Sequence, residues 1–170
     1  MKIAIMGYSG AGKSTLSKQL GEIYRCPVLY LDCVEYEAGW NTRDIESARS
    51  IVADFMRHDS WIIDGNYQKF DQKQRLADAD QIIFLNFSWW RCLWRAFRRY
   101  ARYRNRTRES ITSGCKEKLD FQFIKWILHD GRTRDRKRHF AGIAEEYAAK
   151  FIRLSKPKQL RLFLQQLDNN

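Results

Sequence analysis

The sequence predicts an α/β fold of three layers, with helices on both faces of a parallel five-stranded sheet. Three observations predict it. Short apolar runs alternate with helical periodicities along the chain, each run is apolar on both faces, and the first run passes through a glycine-bearing turn straight into a helix. A chain of 170 residues suffices for one domain that buries roughly 70% of its unfolded surface. Residues 1–170 are therefore expected to form a single domain, with a helical, basic module at about 88–140 set apart by its charge.

The elements follow in order. Lys2 to Met6 reads as the first strand, and Leu16, Leu20 and Ile23 recur behind the turn at helical spacing. Val28 to Leu31, after Pro27, is the second strand. Ile45, Ala48, Val52 and Phe55 mark a helix within Asn41 to Arg57. Trp61-Ile62-Ile63 forms a third strand that ends at Asp64-Gly65. A polar helical stretch from Asp71 to Asp80 leads into the fourth, Gln81 to Leu85. Phe151 to Leu154 is the fifth, before a last helix from about Pro157 to Leu167. No repeat, linker or low-complexity tract interrupts this order.

Composition narrows the class. With 44% apolar and 30% charged residues the chain has enough hydrophobic content to fold. No apolar run approaches the ~20 residues that span a bilayer, so no membrane partner is expected. The N-terminal apolar stretch stops at Gly7 without a cleavage signal. Cys26, Cys33, Cys92 and Cys115 are scattered, without Cys-x-x-Cys spacing, so neither a disulfide framework nor a zinc site is indicated, and a cytoplasmic location is expected. Monomer and dimer both stay open.

Gly7-Tyr8-Ser9-Gly10-Ala11-Gly12-Lys13-Ser14 satisfies the G-x-x-x-x-G-K-[ST] pattern between a strand and a helix. The glycines let successive backbone N–H groups of Gly7, Ser9, Gly10, Ala11 and Gly12 turn inward, and the helix that starts near Lys13 adds its positive end. A polyphosphate such as that of ATP fits this nest. Lys13 can reach the β and γ phosphates, Ser14 can complete the coordination of Mg²⁺, and Thr15 closes the run.

In open α/β sheets ligands gather beyond the carboxyl ends of the strands. Asp32 is expected at the end of the second strand and Asp64 at the end of the third, so both carboxylates face the nucleotide or merely open turns. Asp32 is the preferred base or metal partner. The fourth strand ends in Asn86 where an acid is usual in phosphate-loop proteins; its amide can coordinate through the carbonyl but cannot accept a proton, which shifts the metal role toward Asp32 or a water-mediated contact.

The net charge of +11 has one source. Residues 91–140 hold 16 Lys+Arg against 5 Asp+Glu, and the rest of the chain balances. Trp90, Leu93, Trp94, Phe97 and Ala101 recur at helical spacing and read as a core-facing stripe, beside Arg91, Arg95, Arg98 and Arg102. A second cluster, Arg132, Arg134, Arg136, Lys137 and Arg138, follows the apolar helix around Phe123 to Leu128. Arginine suits bidentate phosphate contacts, so these clusters can clamp phosphates while the transferring group spreads its charge, or they can form a solvated face. Tyr103 to Lys118, polar and poor in core residues, reads as a segment able to open and close.

With these residues on the page, the chain resembles the adenylate-kinase-like P-loop kinases, and more closely the bacterial topology modulation protein group. The likeness rests on Gly7 through Thr15, Val28 to Asp32, Trp61 through Tyr67, Asp80 to Leu85, and Lys125-Trp126-Ile127-Leu128 with Asp130-Gly131-Arg132. It implies a P-loop NTPase sheet of order 2-3-1-4-5, an Arg-rich helical lid between strands four and five, and phosphoryl transfer from ATP with Mg²⁺. Arg91 and Arg95 look like the paired lid arginines of nucleotide kinases. Asp64, Gly65 and Asn66 stand where those kinases bind the acceptor, and Arg132 and Arg136 are expected to assist. The Asp-Gly-Phe-Pro-Arg run of adenylate kinases is absent, because Tyr67-Gln68-Lys69 follows Asn66.

The function expected is phosphoryl transfer from ATP to a small acceptor, a nucleotide or nucleoside. Its rival is an ATP-binding regulator that binds nucleic acid through segment 91–140.

Overall fold

The computed structural model describes residues 1–103, 110–112, 114, 115 and 119–168. Five strands, β1 (Lys2–Gly7), β2 (Val28–Tyr30), β3 (Trp61–Asp64), β4 (Gln81–Leu85) and β5 (Phe151–Leu154), pair only in parallel, in the order β2-β3-β1-β4-β5. This is the sheet that the resemblance implies. Around it lie α1 (Lys13–Tyr24), α2 (Leu31–Glu35), α3 (Ile45–Met56), α4 (Gln72–Asp78), α5 (Trp89–Tyr103), α6 (Phe121–Leu128), α7 (Arg134–Glu146) and α8 (Pro157–Asp168).

The central strands are buried on both faces, which is why they read as continuous apolar runs. Ile3, Ile5, Ile62, Ile63, Ile82 and Ile83 are all at 0% exposure, packed with Leu16 and Leu20 of α1 and Val52 of α3. Removing one of these side chains down to Ala leaves a cavity worth about 2–5 kcal/mol. Because the strands run the same way, the ends of β1, β3 and β2 open on one edge of the sheet, and that edge carries the site.

Four local readings differ from the structure. Strand β2 stops at Tyr30, so Asp32 does not end a strand; it lies in the first turn of α2. The second expected helix begins only at Ile45, because Asp44 caps it by accepting from the Ser47 N–H at 2.9 Å. Helix α7 fills a stretch that the sequence reading treated only as a charge cluster. The fourth difference is the largest: the aromatic stripe of α5 faces out. Trp90, Trp94 and Phe97 are 52%, 60% and 53% exposed, while the same helix buries Cys92 and Ala96. Small residues let α5 lie close against the phosphate loop, and periodicity alone cannot tell which of two stripes meets the core.

Candidate active site

The phosphate loop joins β1 to α1. Gly10 and Gly12 hold φ of +78° and +97°, a region that favours glycine. Space demands glycine as well. A Cβ on Gly10 would overlap the Cys92 carbonyl oxygen, and one on Gly12 would lie 2.7 Å from Nη1 of Arg95. Helix α5 is thus seated directly against the loop.

Side chains from three other elements hold the loop in shape. The Asn66 amide donates to the Gly7 carbonyl at 2.7 Å and accepts from the Gly7 N–H at 3.0 Å. Arg95 Nη1 donates to the Ala11 carbonyl at 2.6 Å. The Trp126 indole N–H, from α6, donates to Ser9 Oγ at 3.0 Å, and the Arg136 guanidinium lies 4.5 Å from the centroid of the Trp126 ring. The Lys13 ammonium contacts the Tyr8 carbonyl at 3.5 Å, within the loop it serves.

The loop opens on a cleft of about 2110 Å³. That is roughly twice the upper range of a single-ligand pocket, so it has room for two substrates. Ser9, Gly10, Gly12, Lys13, Ser14 and Thr15 line it, as do Asp32 from the first turn of α2 and Asp64, Gly65 and Asn66 from the end of β3. Arg95, Arg98, Arg99 and Arg102 of α5, with Arg136 of α7, line it from the side of the basic module. Burial, and then the neighbouring Arg91 charge, lowers the Arg95 guanidinium from its ordinary value.

Several expected site residues stand elsewhere. Gly7 and Ala11 do not line the cleft; both act through backbone groups that Asn66 and Arg95 hold. Arg91 is also outside the lining, with its guanidinium 4.6 Å from the Trp90 ring centroid. Arg132 is a structural tie. It donates to the carbonyls of Ile127 at 3.0 Å and Phe87 at 2.8 Å, and it lies 3.7 Å from the Tyr8 ring centroid, which fixes Tyr8 as a buried part of the packing. Asn66 spends both ends of its amide on Gly7, so it shapes the phosphate loop first. Asn86 donates to Ser155 Oγ at 3.3 Å and lies outside the cleft lining.

Beside Asp32 stands Tyr67, a residue that the sequence does not single out. Its phenol donates to Asp32 Oδ1 at 2.8 Å. Burial, and then the Asp32 charge, pushes the Tyr67 phenol far up, so it stays protonated and the bond keeps its direction. The buried Arg75 holds this segment, donating to the Tyr67 and Phe70 carbonyls, and Gln72 donates to the Asn66 carbonyl at 3.1 Å. Burial lowers Arg75 to about 10, which still leaves it a cation at neutral pH. Lys69 pairs with the buried Glu35 at 2.7 Å. Only the run Asp64-Gly65-Asn66-Tyr67 hinted at this cluster.

The expected opening segment, Tyr103 to Lys118, falls largely outside the described residues. Of its described part, the Thr112 hydroxyl donates to the Tyr36 carbonyl and the Cys115 thiol contacts the Glu37 carbonyl at 3.2 Å, so these two residues touch the turn after α2.

Ser14 and Asp32 present hard oxygens to one cleft, which fits Mg²⁺, an ion that keeps most of its waters and takes one or two protein oxygens beside phosphate. Among the described residues no cluster of three or more His, Cys, Asp or Glu side chains suits a metal ion by itself.

No protein-family model matches the chain, and neither does any curated protein. Solved structures do. Shikimate kinase from Acinetobacter baumannii in complex with shikimate superposes with a TM-score of 0.57 at 17% identity, over 97% of this chain and 93% of that one. A gluconokinase from Sinorhizobium meliloti 1021 gives 0.51 at 15% identity, over 98% and 88%. Deoxyadenosine kinase from M. mycoides with bound dCTP gives 0.50 at 14% identity, over the full length of both chains. The class defined is that of the P-loop kinase fold: a parallel sheet of order 2-3-1-4-5 with the phosphate loop after its central strand.

Proposed function

We propose that the protein transfers a phosphoryl group from ATP with Mg²⁺ to a hydroxyl or phosphate of a small acceptor, a nucleoside or nucleotide. The observation that carries this reading is the meeting, in one cleft, of the phosphate loop with Asp32 and five arginines. The loop amides and Lys13 hold the triphosphate, and Ser14 with Asp32 would hold the metal ion, whose part is to neutralise phosphate charge. Asp32, oriented by Tyr67, positions the acceptor or a water near the γ-phosphate. Asp64 and Gly65 face the acceptor, and Arg95 and Arg136 stabilise charge on the transferring group. Likeness to the topology modulation group agrees with this assignment, and a cytoplasmic enzyme of one domain is the form we assign.

The test is an ADP-release assay of the full chain with ATP, Mg²⁺ and a panel of nucleosides and their monophosphates, with the product identified by mass spectrometry. Phosphorylated product that vanishes in Lys13→Met supports the reading. ATP binding without product from any acceptor rejects it.

A further inference from the structure

Helix α5 presents an outward face that the nucleotide site does not use. Trp89, Trp90, Trp94 and Phe97 are 51–60% exposed, and the last three repeat at i, i+4 and i+7, which puts them on one stripe about 10 Å long. Patches of this kind on soluble proteins mark interaction surfaces. Arg91, which is outside the cleft lining, borders the stripe beside Trp90, α5 contains no acidic residue, and the segment 91–140 carries the whole +11 surplus.

These features select the partner. A second copy of the chain would bring +11 against +11, so an anionic partner is favoured over self-association. A single-stranded nucleic acid would stack its bases on open ring faces. Here Arg91 covers one face of Trp90 at 4.6 Å, and Trp94 and Phe97 stack on each other at 6.3 Å with 17° between planes. Insertion into an apolar interface asks nothing of ring faces. A helix with arginines beside a Trp/Phe face is built to lie at the boundary of headgroups and acyl chains, where indole rings prefer to sit.

We infer that the aromatic face of α5 docks the protein peripherally on an anionic lipid surface, with Trp90, Trp94 and Phe97 entering the interface and Arg91, within the positive field of the basic segment, meeting the headgroups. Nothing spans the bilayer in this arrangement. The buried face of α5, Cys92 and Ala96, keeps its seat on the phosphate loop.

The test is flotation of the full chain with vesicles of phosphatidylcholine, with and without one third phosphatidylglycerol, together with quenching of tryptophan emission by lipids brominated on the acyl chain. The variant is Trp94→Ser/Phe97→Ser, whose side chains are outside the nucleotide cleft, and its fold is checked by thermal melting. The expected result is binding to anionic vesicles that weakens with salt, brominated-lipid quenching of the native protein, and about tenfold or greater loss of binding in the variant. Equal binding of native protein and variant, absence of quenching, no binding to either vesicle, or binding to an oligo(dT) strand in place of vesicles would each overturn it. Quenching is read on the native protein, so the test does not depend on the variant folding or on kinase activity.

Discussion

Asn66 and Gly7 form a closed two-bond ring, the side-chain amide donating to the glycine carbonyl at 2.7 Å and accepting from its N–H at 3.0 Å. The residue after β3 thereby sets the conformation at which β1 enters the phosphate loop. Asn66→Ala leaves two part-buried backbone groups without partners, at about 1–3 kcal/mol. We expect a fall in Tm of about 2–12 °C, and weaker ATP binding by calorimetry. An unchanged affinity would show that the loop holds its shape alone.

Tyr67 donates to Asp32 Oδ1 at 2.8 Å, and on the proposed function this bond orients the carboxylate toward the acceptor. Tyr67→Phe removes the phenol and keeps the ring. Turnover is expected to drop about tenfold while the Kd for ATP stays constant, because only the acceptor side loses its alignment. A matching loss of ATP affinity would place Tyr67 on the donor side.

Gly10 meets the backbone of α5, and no flexible side chain there can step aside. Gly10→Ala therefore forces the loop and the Cys92 turn apart, with positive φ adding its own strain, at about 1–3 kcal/mol in total. Denaturant unfolding measures the loss, and ATP binding is expected to fall with it. Full stability in the variant would contradict the close seating of α5.

Arg95 and Arg91 are neighbours on one helix with different fates. Arg95→Ala removes a charge-assisted bond to the loop and a cation from the cleft, so kcat/KM is expected to fall about 10²-fold or more. Arg91→Ala, off the cleft lining, is expected to change it by no more than about twofold. Comparable losses from the two would mean that Arg91 reaches the phosphates after all.

Burial, and then the Arg136 charge, holds the His139 imidazole below its ordinary value of 6.5. The unfolded chain therefore takes up a proton first. His139 contributes stability above pH 6.5 that is lost as pH falls from there through the folded value. Its ring nitrogen is 2.8 Å from Gln72 Oε1, so the effect is local to the α4–α7 contact. His139→Gln should flatten the slope of Tm between pH 7.5 and 5. A slope identical to that of the native protein would remove the histidine from the account.

The strands and the phosphate loop were legible because their signals are local. Apolar runs buried on both faces and a glycine pattern with a terminal Lys-Ser do not depend on distant partners. What escaped the sequence depends on which residue meets which. Tyr67 and Asp32 lie 35 positions apart, and a tyrosine becomes a carboxylate's anchor only when the fold brings the two together. Arg132 shows a contact of the same kind: its charge type suggests a phosphate ligand, and the sequence does not show that its guanidinium also donates to the Ile127 and Phe87 carbonyls and lies against the Tyr8 ring. The α5 stripe failed for a geometric reason, since two faces of one helix share a period and only packing chooses between them.

The hydrogen bond from Trp126 to Ser9 puts an indole at the mouth of the triphosphate nest, with a cation resting on its ring. On the proposed function an arriving nucleotide changes the electric field at Trp126, one of the six tryptophans of the chain, so an emission change on ATP addition that is lost in Trp126→Phe would gauge occupancy without an attached dye.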